Sequence, residues 1–345
     1  MSGLLAWVAG AAAIVPTASA TAGGLASRPR HPAPLRGEPL GHSTGLRLVV
    51  ADIPPFVLDV DTGRVTPVAG APQLAVIVGV VGVGGRAAVV VVDPGERTRL
   101  YSVLGNPARA SRLGIGMDVV PAADGRSVWI QSRVGRSRCA LRRVALDGRV
   151  LRPARAFPCR TFSDPPAGAL GLVVNRTRIV DPRTGRTALR TRQGIIAVAG
   201  ETLVLAAPGN WFTLLNARTR AEKRLPWPSI LWGLDAPAVD PRGRYVALAF
   251  ADPAWKGGPE QALDVWLLDT KTGRLSQLPG MPAIIALKQT SMAWTDDGRL
   301  VLLAQTIAGR DLVAVWRPGQ TRLAVATVRL PDRSDSGSDS FAPVR

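Results

Sequence analysis

From Gly45 onward the apolar residues come in short runs, alternating or β-branched. Gly, Pro, Asp and Asn interrupt them about every 8 to 12 residues, the spacing of strands joined by tight turns. Runs such as Ala88-Val89-Val90-Val91-Val92 and Leu300 to Leu303 have strand length and end in turn signals. Beyond the first twenty residues, no stretch of about a dozen positions keeps the 3.6-residue period of an amphipathic helix. The pattern predicts an all-β chain.

Two units recur along it. The first is an apolar strand, an Asp or Asn, a few turn residues often ending Thr-Gly-Arg, and a second strand. Copies are Val57 to Arg64, Val91 to Glu96, Ala145 to Arg149, Ile179 to Arg186, Leu214 to Arg220, Trp266 to Arg274 and Val315 to Gln320. These seven hairpins lie between residues 60 and 320. Their mean period is about 43 residues, the length of four strands with their turns. The second unit lies between the hairpins: a strand meets an Asp-Gly or Arg-Gly turn and re-enters as a strongly apolar strand. It is seen at Pro121 to Ile130, Val239 to Phe250 and Ala293 to Leu303.

The second unit resembles the Trp-Ser-Pro-Asp-Gly-[Arg/Lys]-x-hydrophobic-Ala-Phe signature of TolB-like and WD-repeat-like β-propellers of the bacterial cell envelope. The hairpin resembles the hydrophobic-x-x-Asp-x-x-Thr-Gly signature of their outer strands. The resemblance spans about residues 45 to 331 and is best over 238 to 328. It implies a β-propeller of about seven four-stranded blades, with six also fitting because the first repeat is short. A two-domain β-sandwich is the competing architecture. Rings of blades close by pairing strands from the two chain ends. Residues 46–69 supply three strands, and a late strand such as Ala324 to Leu330 is expected to complete the first blade.

Leu4 to Val15 form an apolar run followed by Ala18-Ser19-Ala20, the h-region and cleavage site of a secretory signal, although no Lys or Arg precedes the run. Residues 1–20 are therefore expected to be a signal peptide or membrane anchor. Residues 21–44 are expected to be a flexible linker, 45–331 the propeller, and 332–345 a disordered Ser-, Asp- and Gly-rich tail. The protein is expected to be exported: extracytoplasmic, secreted or membrane-anchored. Cys139 and Cys159, the only cysteines, flank a hairpin that turns at Asp147-Gly148. A symmetric hairpin would place residue 156 opposite Cys139, so a disulfide between the two requires a bulge or offset. Two buried free thiols are the alternative.

Composition narrows the chemistry. The chain of 345 residues has two histidines, His31 and His42, both ahead of the first strand. A His-based triad or a His-ligated metal in the body of the fold is thereby excluded, as is a four-thiolate zinc site. Asp59-x-Asp61-x-Gly63 has the opening spacing of a calcium loop but lacks the later acid. The acids at Asp124, Asp240, Asp296 and Asp297 sit where strand-joining turns require them. Gly79, Gly82, Gly84 and Gly85 are followed by no Lys-Ser/Thr and no helix, so turn glycines are expected rather than a phosphate loop. No catalytic residue, cofactor or metal site is assigned.

The net charge is +18, and most of the excess lies between Arg126 and Arg192, where 16 Arg face three acids. On alternating strands these guanidinium groups would line the outer faces of two adjacent blades and attract anionic surfaces. Four Lys against 39 Arg equally suits a bias of composition. Trp129, Trp266, Trp294 and Trp316 fall inside strands and are expected to pack between blades. Trp211, Trp227, Trp232 and Trp255 fall near turns beside prolines, as exposed aromatics of a binding face do. The expected binding residues are those four tryptophans with Arg136, Arg138, Arg142 and Arg143. The expected function is a non-catalytic binding or scaffold module, monomeric, whose partner is a protein or envelope polymer and not nucleic acid. A propeller-scaffold glycosidase or lyase, or an extracytoplasmic sensor domain, are the alternatives.

Overall fold

The computed structural model describes residues 32–41, 43–72, 76–93, 98–136, 138–159, 162, 167–231, 233–252, 260–286, 291–331 and 340–344. The leader at 1–20, Trp232 and Trp255 lie outside them. Among the described residues no helix is long and apolar enough to cross a membrane.

Among the described residues the strands fall into seven separate sheets. Six are built on a four-stranded antiparallel meander, and the seventh has three strands. In chain order, blade 2 holds Val76–Val83, Ala87–Asp93, Arg99–Leu104 and Arg109–Ile115. Blade 3 holds Asp118–Pro121, Ser127–Arg133, Arg138–Ala145 and Val150–Pro158. Blade 4 has Leu172–Val174, Arg178–Val180 and Thr187–Arg190, and Phe162 forms an antiparallel bridge to Val174. Blade 5 runs through Gly194–Ala199, Thr202–Ala207, Trp211–Asn216 and Glu222–Pro226. Blade 6 runs through Gly233–Val239, Tyr245–Asp252, Glu260–Asp269 and Arg274–Gln277. Blade 7 runs through Ser291–Trp294, Leu300–Gln305, Asp311–Trp316 and Ala324–Val328.

Blade 1 is built from both ends of the chain. Arg47–Val50, Phe56–Asp59 and Val65–Pro67 are its outer three strands, and Phe341–Val344 pairs antiparallel with Arg47–Val50 as the innermost. This corrects two expectations. Ala324–Val328 does not complete blade 1 but is the fourth strand of blade 7, paired with Asp311–Val315. The expected disordered tail at 332–345 ends in a strand whose four residues are all buried. Polar residues 334–340 hid the four apolar ones behind them, because local composition does not register a partner strand some 290 residues earlier in the chain.

Seven hydrophobic clusters hold the ring together, and each joins two successive sheets. Leu48, Leu58 and Phe341 of blade 1 pack on Val301, Leu303 and Val313 of blade 7. On its other face, blade 1 sets Val49, Val57 and Ala342 against Ile77, Val90 and Val103 of blade 2. Trp129, Trp294 and Trp316 are buried in such clusters, as their strand positions predicted. The period-2 pattern thus buries both faces of each blade, one against each neighbour.

The expected linker at 21–44 is also corrected where it is described. Ala33–Pro34 pairs parallel with Ala283–Ile284 on the outer edge of blade 6. Glu38–Pro39 pairs parallel with Ala324–Val325 on the outer edge of blade 7. Between them Leu35 is buried in the core shared by those blades. A little further on, the carboxylate of Asp61 accepts hydrogen bonds from the hydroxyls of Ser43 and Thr44 and from the amides of Thr44 and Gly45. Partial burial would raise its pKa, but these bonds outweigh that and hold it at about 2, against an ordinary 3.8. The Asp59-Asp61 spacing therefore serves a turn and an anchor for the entering chain.

Two outcomes are expected. Phe341→Ala should lower unfolding free energy by about 3 to 5 kcal/mol in urea titrations, as for a buried core aromatic; an unchanged midpoint would refute closure through this strand. Because the pKa of Asp61 is depressed on folding, its contribution is present above the ordinary value of 3.8 and lost as pH falls toward about 2. Asp61→Asn should therefore melt below wild type at pH 5, and the difference should vanish near pH 2.

Candidate binding surfaces

An antiparallel meander sends its connections to two ends of the ring. The turns between first and second, and between third and fourth, strands lie at one end. The loops between second and third strands, and those passing to the next blade, lie at the other.

The first end is occupied by the protein itself. Blade 1 has no turn there between its inner two strands, because those strands come from opposite chain termini. The Gly84-Gly85 turn of blade 2 extends beyond it and touches blade 7. Both glycines have positive φ, and a Cβ on Gly84 would lie 2.5 Å from the Gly125 carbonyl of blade 3. A Cβ on Gly85 would lie 2.5 Å from the Asp296 amide nitrogen. Arg86 adds an ion pair to Asp296 at 3.3 Å. These glycines serve close backbone approach. The turn acids are likewise engaged locally. Asp240 accepts bonds from the amides of Arg242, Arg244 and Tyr245. Asp297 accepts from Thr295, Arg299 and Arg317.

At the same end a cleft of about 580 Å³ lies between blades 3 and 4, lined by residues that include Asp124, Trp129, Arg143, Leu170, Asp181 and Arg183. Arg143 and Asp124, two of its polar groups, already satisfy one another. Arg143 pairs with Asp124 at 2.7 Å, donates to Ser127 at 2.8 Å and lies 5.9 Å over the Trp129 ring. Burial opposes ionisation of Asp124, but the Arg126 amide, the Ser127 hydroxyl and Arg143 together depress its pKa. Arg143 was expected on a binding face; it is instead a packing and pairing residue between blades. Arg142 is corrected similarly: it is half-buried between blades 2 and 3, where one guanidinium nitrogen donates to the Ile115 carbonyl at 3.3 Å. Arg136 and Arg138 are exposed at the other end of blade 3.

That other end carries an apolar group. Seven large hydrophobic side chains are exposed among the described residues, and five of them lie here: Met117, Val134, Trp211, Ile230 and Ile307. Met117 and Ile230 sit on connections to the next blade. Val134, Trp211 and Ile307 sit at loops joining second and third strands. Trp211 is 38% exposed, with the Arg224 guanidinium 5.1 Å from its ring centre. Trp227, expected beside it on a binding face, is turned inward instead. Its ring stacks on Phe212 at 5.0 Å and meets Phe250 edge-on at 4.9 Å, and its indole N–H donates to the Leu231 carbonyl. A loop position beside prolines does not reveal that the ring folds back under its own loop. Nearby, buried Asp264 accepts bonds from Ser229, Trp266 and Gln277, all at 2.8 Å, fixing the connection that carries Ile230.

Cys139 and Cys159 are joined by a disulfide, Cα–Cα 4.9 Å. The ladder pairs Cys139 with Phe157 and is bulged on both sides of Arg143, which moves the register one residue from symmetric; Cys159 lies just past the last paired residue, Pro158, and reaches Cys139 from there.

The chain is a β-propeller. An acylaminoacyl peptidase superposes with a TM-score of 0.52 at 12% identity, covering 86% of this chain and 52% of that one, so the chain spans about half its length. TolB from Acinetobacter baumannii gives 0.47 at 13% identity, covering 88% and 67%. A putative 6-phosphogluconolactonase from Bacteroides fragilis gives 0.48 at 12% identity, covering 89% and 100%. No protein-family model matches the sequence, and no curated protein matches it. The likeness is one of fold.

The two loop tryptophans should behave differently. Trp227→Ala should cost about 3 kcal/mol in chemical denaturation, as a large core truncation does. Trp211→Ala should stay within about 1 kcal/mol of wild type. Equal losses would overturn the assignment of Trp227 to the core and Trp211 to the surface.

Proposed function

We propose that this protein is a non-catalytic binding module, exported or membrane-anchored, that engages a protein partner through the end of the ring bearing Trp211 and Ile230. The observation that carries this reading is the gathering of five of the seven exposed large hydrophobic side chains on the loops of one end. Interface cores favour aromatic residues and Met, and scattered surface hydrophobics have no reason to favour one end. At the opposite end the turns pack on one another, and Asp124, Asp240, Asp296 and Asp297 are engaged by amides, hydroxyls and guanidinium groups of the fold, which favours structural duty over glycosidase or lyase chemistry. Export is supported by the apolar run ending in Ala18-Ser19-Ala20 and by the Cys139–Cys159 bridge, which persists in oxidising compartments.

Affinity capture with the full chain from envelope extracts, washed across a salt gradient, tests the reading. A defined protein should survive high salt and be lost, at least tenfold, from a Trp211→Ala/Ile230→Ser variant that melts like wild type. Retention of the same partner by that variant, or capture only of material released by moderate salt, would sink it.

A further inference from the structure

The two exposed large hydrophobics that the loop end does not account for are Val150, 54% exposed, and Leu151, 36% exposed. They begin Val150–Pro158, the fourth and outermost strand of blade 3. At nine residues it is longer than the outermost strand of any other four-stranded meander here. Residues 150–156 are exposed whichever face they point to, so both neighbouring blades leave this edge uncovered. One side of the strand pairs with Arg138–Ala145; along the other, no strand pairs with it among the described residues.

The protein treats comparable edges elsewhere by adding extended chain to them. Ala33–Pro34 lies along the edge of blade 6, Glu38–Pro39 along the edge of blade 7, and Ala69 bridges to Arg109 on the edge of blade 2. Two of these three additions contain proline, so such docking here tolerates short, interrupted pairing.

What distinguishes the blade 3 edge is its charge. Arg152 pairs directly with Arg143, and Arg155 with Leu141, whose side chains lie on the face toward blade 4. Directly paired residues share a face, so Arg152 and Arg155 point that way, and Arg155 reaches the Arg183 carbonyl of blade 4. Across the gap, Arg190 pairs with Arg178, which pairs with Val174 of the same core. Arg178 and Arg190 therefore face blade 3. Of the acids close by, Asp147 pairs with Arg149, and Asp181 is bound by the amide of Arg183 and the hydroxyl of Thr184.

We propose that the outer edge of Val150–Pro158 is a second binding site, which takes an extended acidic peptide segment of a partner by strand addition. The exposed backbone supplies the ladder, Val150 and Leu151 the apolar contact, and the arginines of blades 3 and 4 the selection for acidic side chains. A second copy of the same edge is rejected by like charge, while a strand with alternating acids is attracted. Pro153, with no N–H to donate, lies with Ala154 opposite the bulge at Arg142, so the pairing falls on Ala154 to Phe157 and on the residues before Pro153.

The test uses the full chain and a fluorescent ten-residue peptide of alternating Val and Glu, followed by anisotropy. Binding should weaken at least tenfold when alternate peptide amides are N-methylated, which keeps the charge and removes ladder donors. It should weaken likewise for Arg152→Glu/Arg155→Glu and for a Val-Lys peptide. Hydrogen exchange on the wild-type chain, which does not depend on any variant folding, should show protection gained within residues 150–157. Equal affinity for the N-methylated peptide would mean contact by charge alone and would overturn the proposal, as would absence of protection in that strand. Trp211→Ala should leave peptide binding unchanged, so this site can fail or stand independently of the loop end.

Discussion

Every other feature of this molecule depends on closing the ring. A twisted sheet buried on both faces needs a neighbour on each side, and a row of such sheets has two raw ends unless the last packs on the first. Here Phe341–Val344 meets the constraint by pairing inside the sheet begun by Arg47–Val50. Its side chains then serve both adjoining cores: Phe341 toward blade 7, Ala342 and Val344 toward blade 2. The closure therefore joins the chain ends through a ladder and two packed interfaces at once.

The way the ring closes decides which surfaces remain for function. Because blade 1 is assembled from two termini, it lacks one inner turn, and the Gly84-Gly85 turn of blade 2 crosses to Asp296. That end is filled by backbone contacts and by acids engaged within their turns and by neighbouring arginines. The opposite end, where loops are longer and the connections to succeeding blades pass, is where the apolar side chains are left exposed. A division of this kind follows from meander geometry and one missing turn, without reference to any particular ligand.

Charge is distributed by the same geometry. The arginines of blades 3 and 4 are not equivalent: Arg142 and Arg143 are drawn between blades and consumed by carbonyl, carboxylate and ring contacts. Arg152, Arg155 and Arg190 stay in solvent at the rim, where the blades diverge. An excess concentrated between Arg126 and Arg192 thus separates into arginines that hold the fold and arginines that give its edge a sign.

The propeller class was legible in the chain because it is a local property repeated: strand-length apolar runs, Asp-Gly turns and a period of about 43 residues. So were the burial of Trp129, Trp294 and Trp316, which follows from their place inside strands, and the need for a bulge if Cys139 and Cys159 were to meet. Phe341–Val344, the edge strands at Ala33–Pro34 and Glu38–Pro39, and the inward turn of Trp227 were not legible. Each owes its state to residues far away in sequence or to a loop folding back on itself, and no local pattern carries that information. Sequence alone determined what kind of sheet each segment would join. Tertiary structure decided which sheet, which face, and therefore which tryptophans and arginines remain free to bind, because those depend on neighbours that only the closed ring brings together.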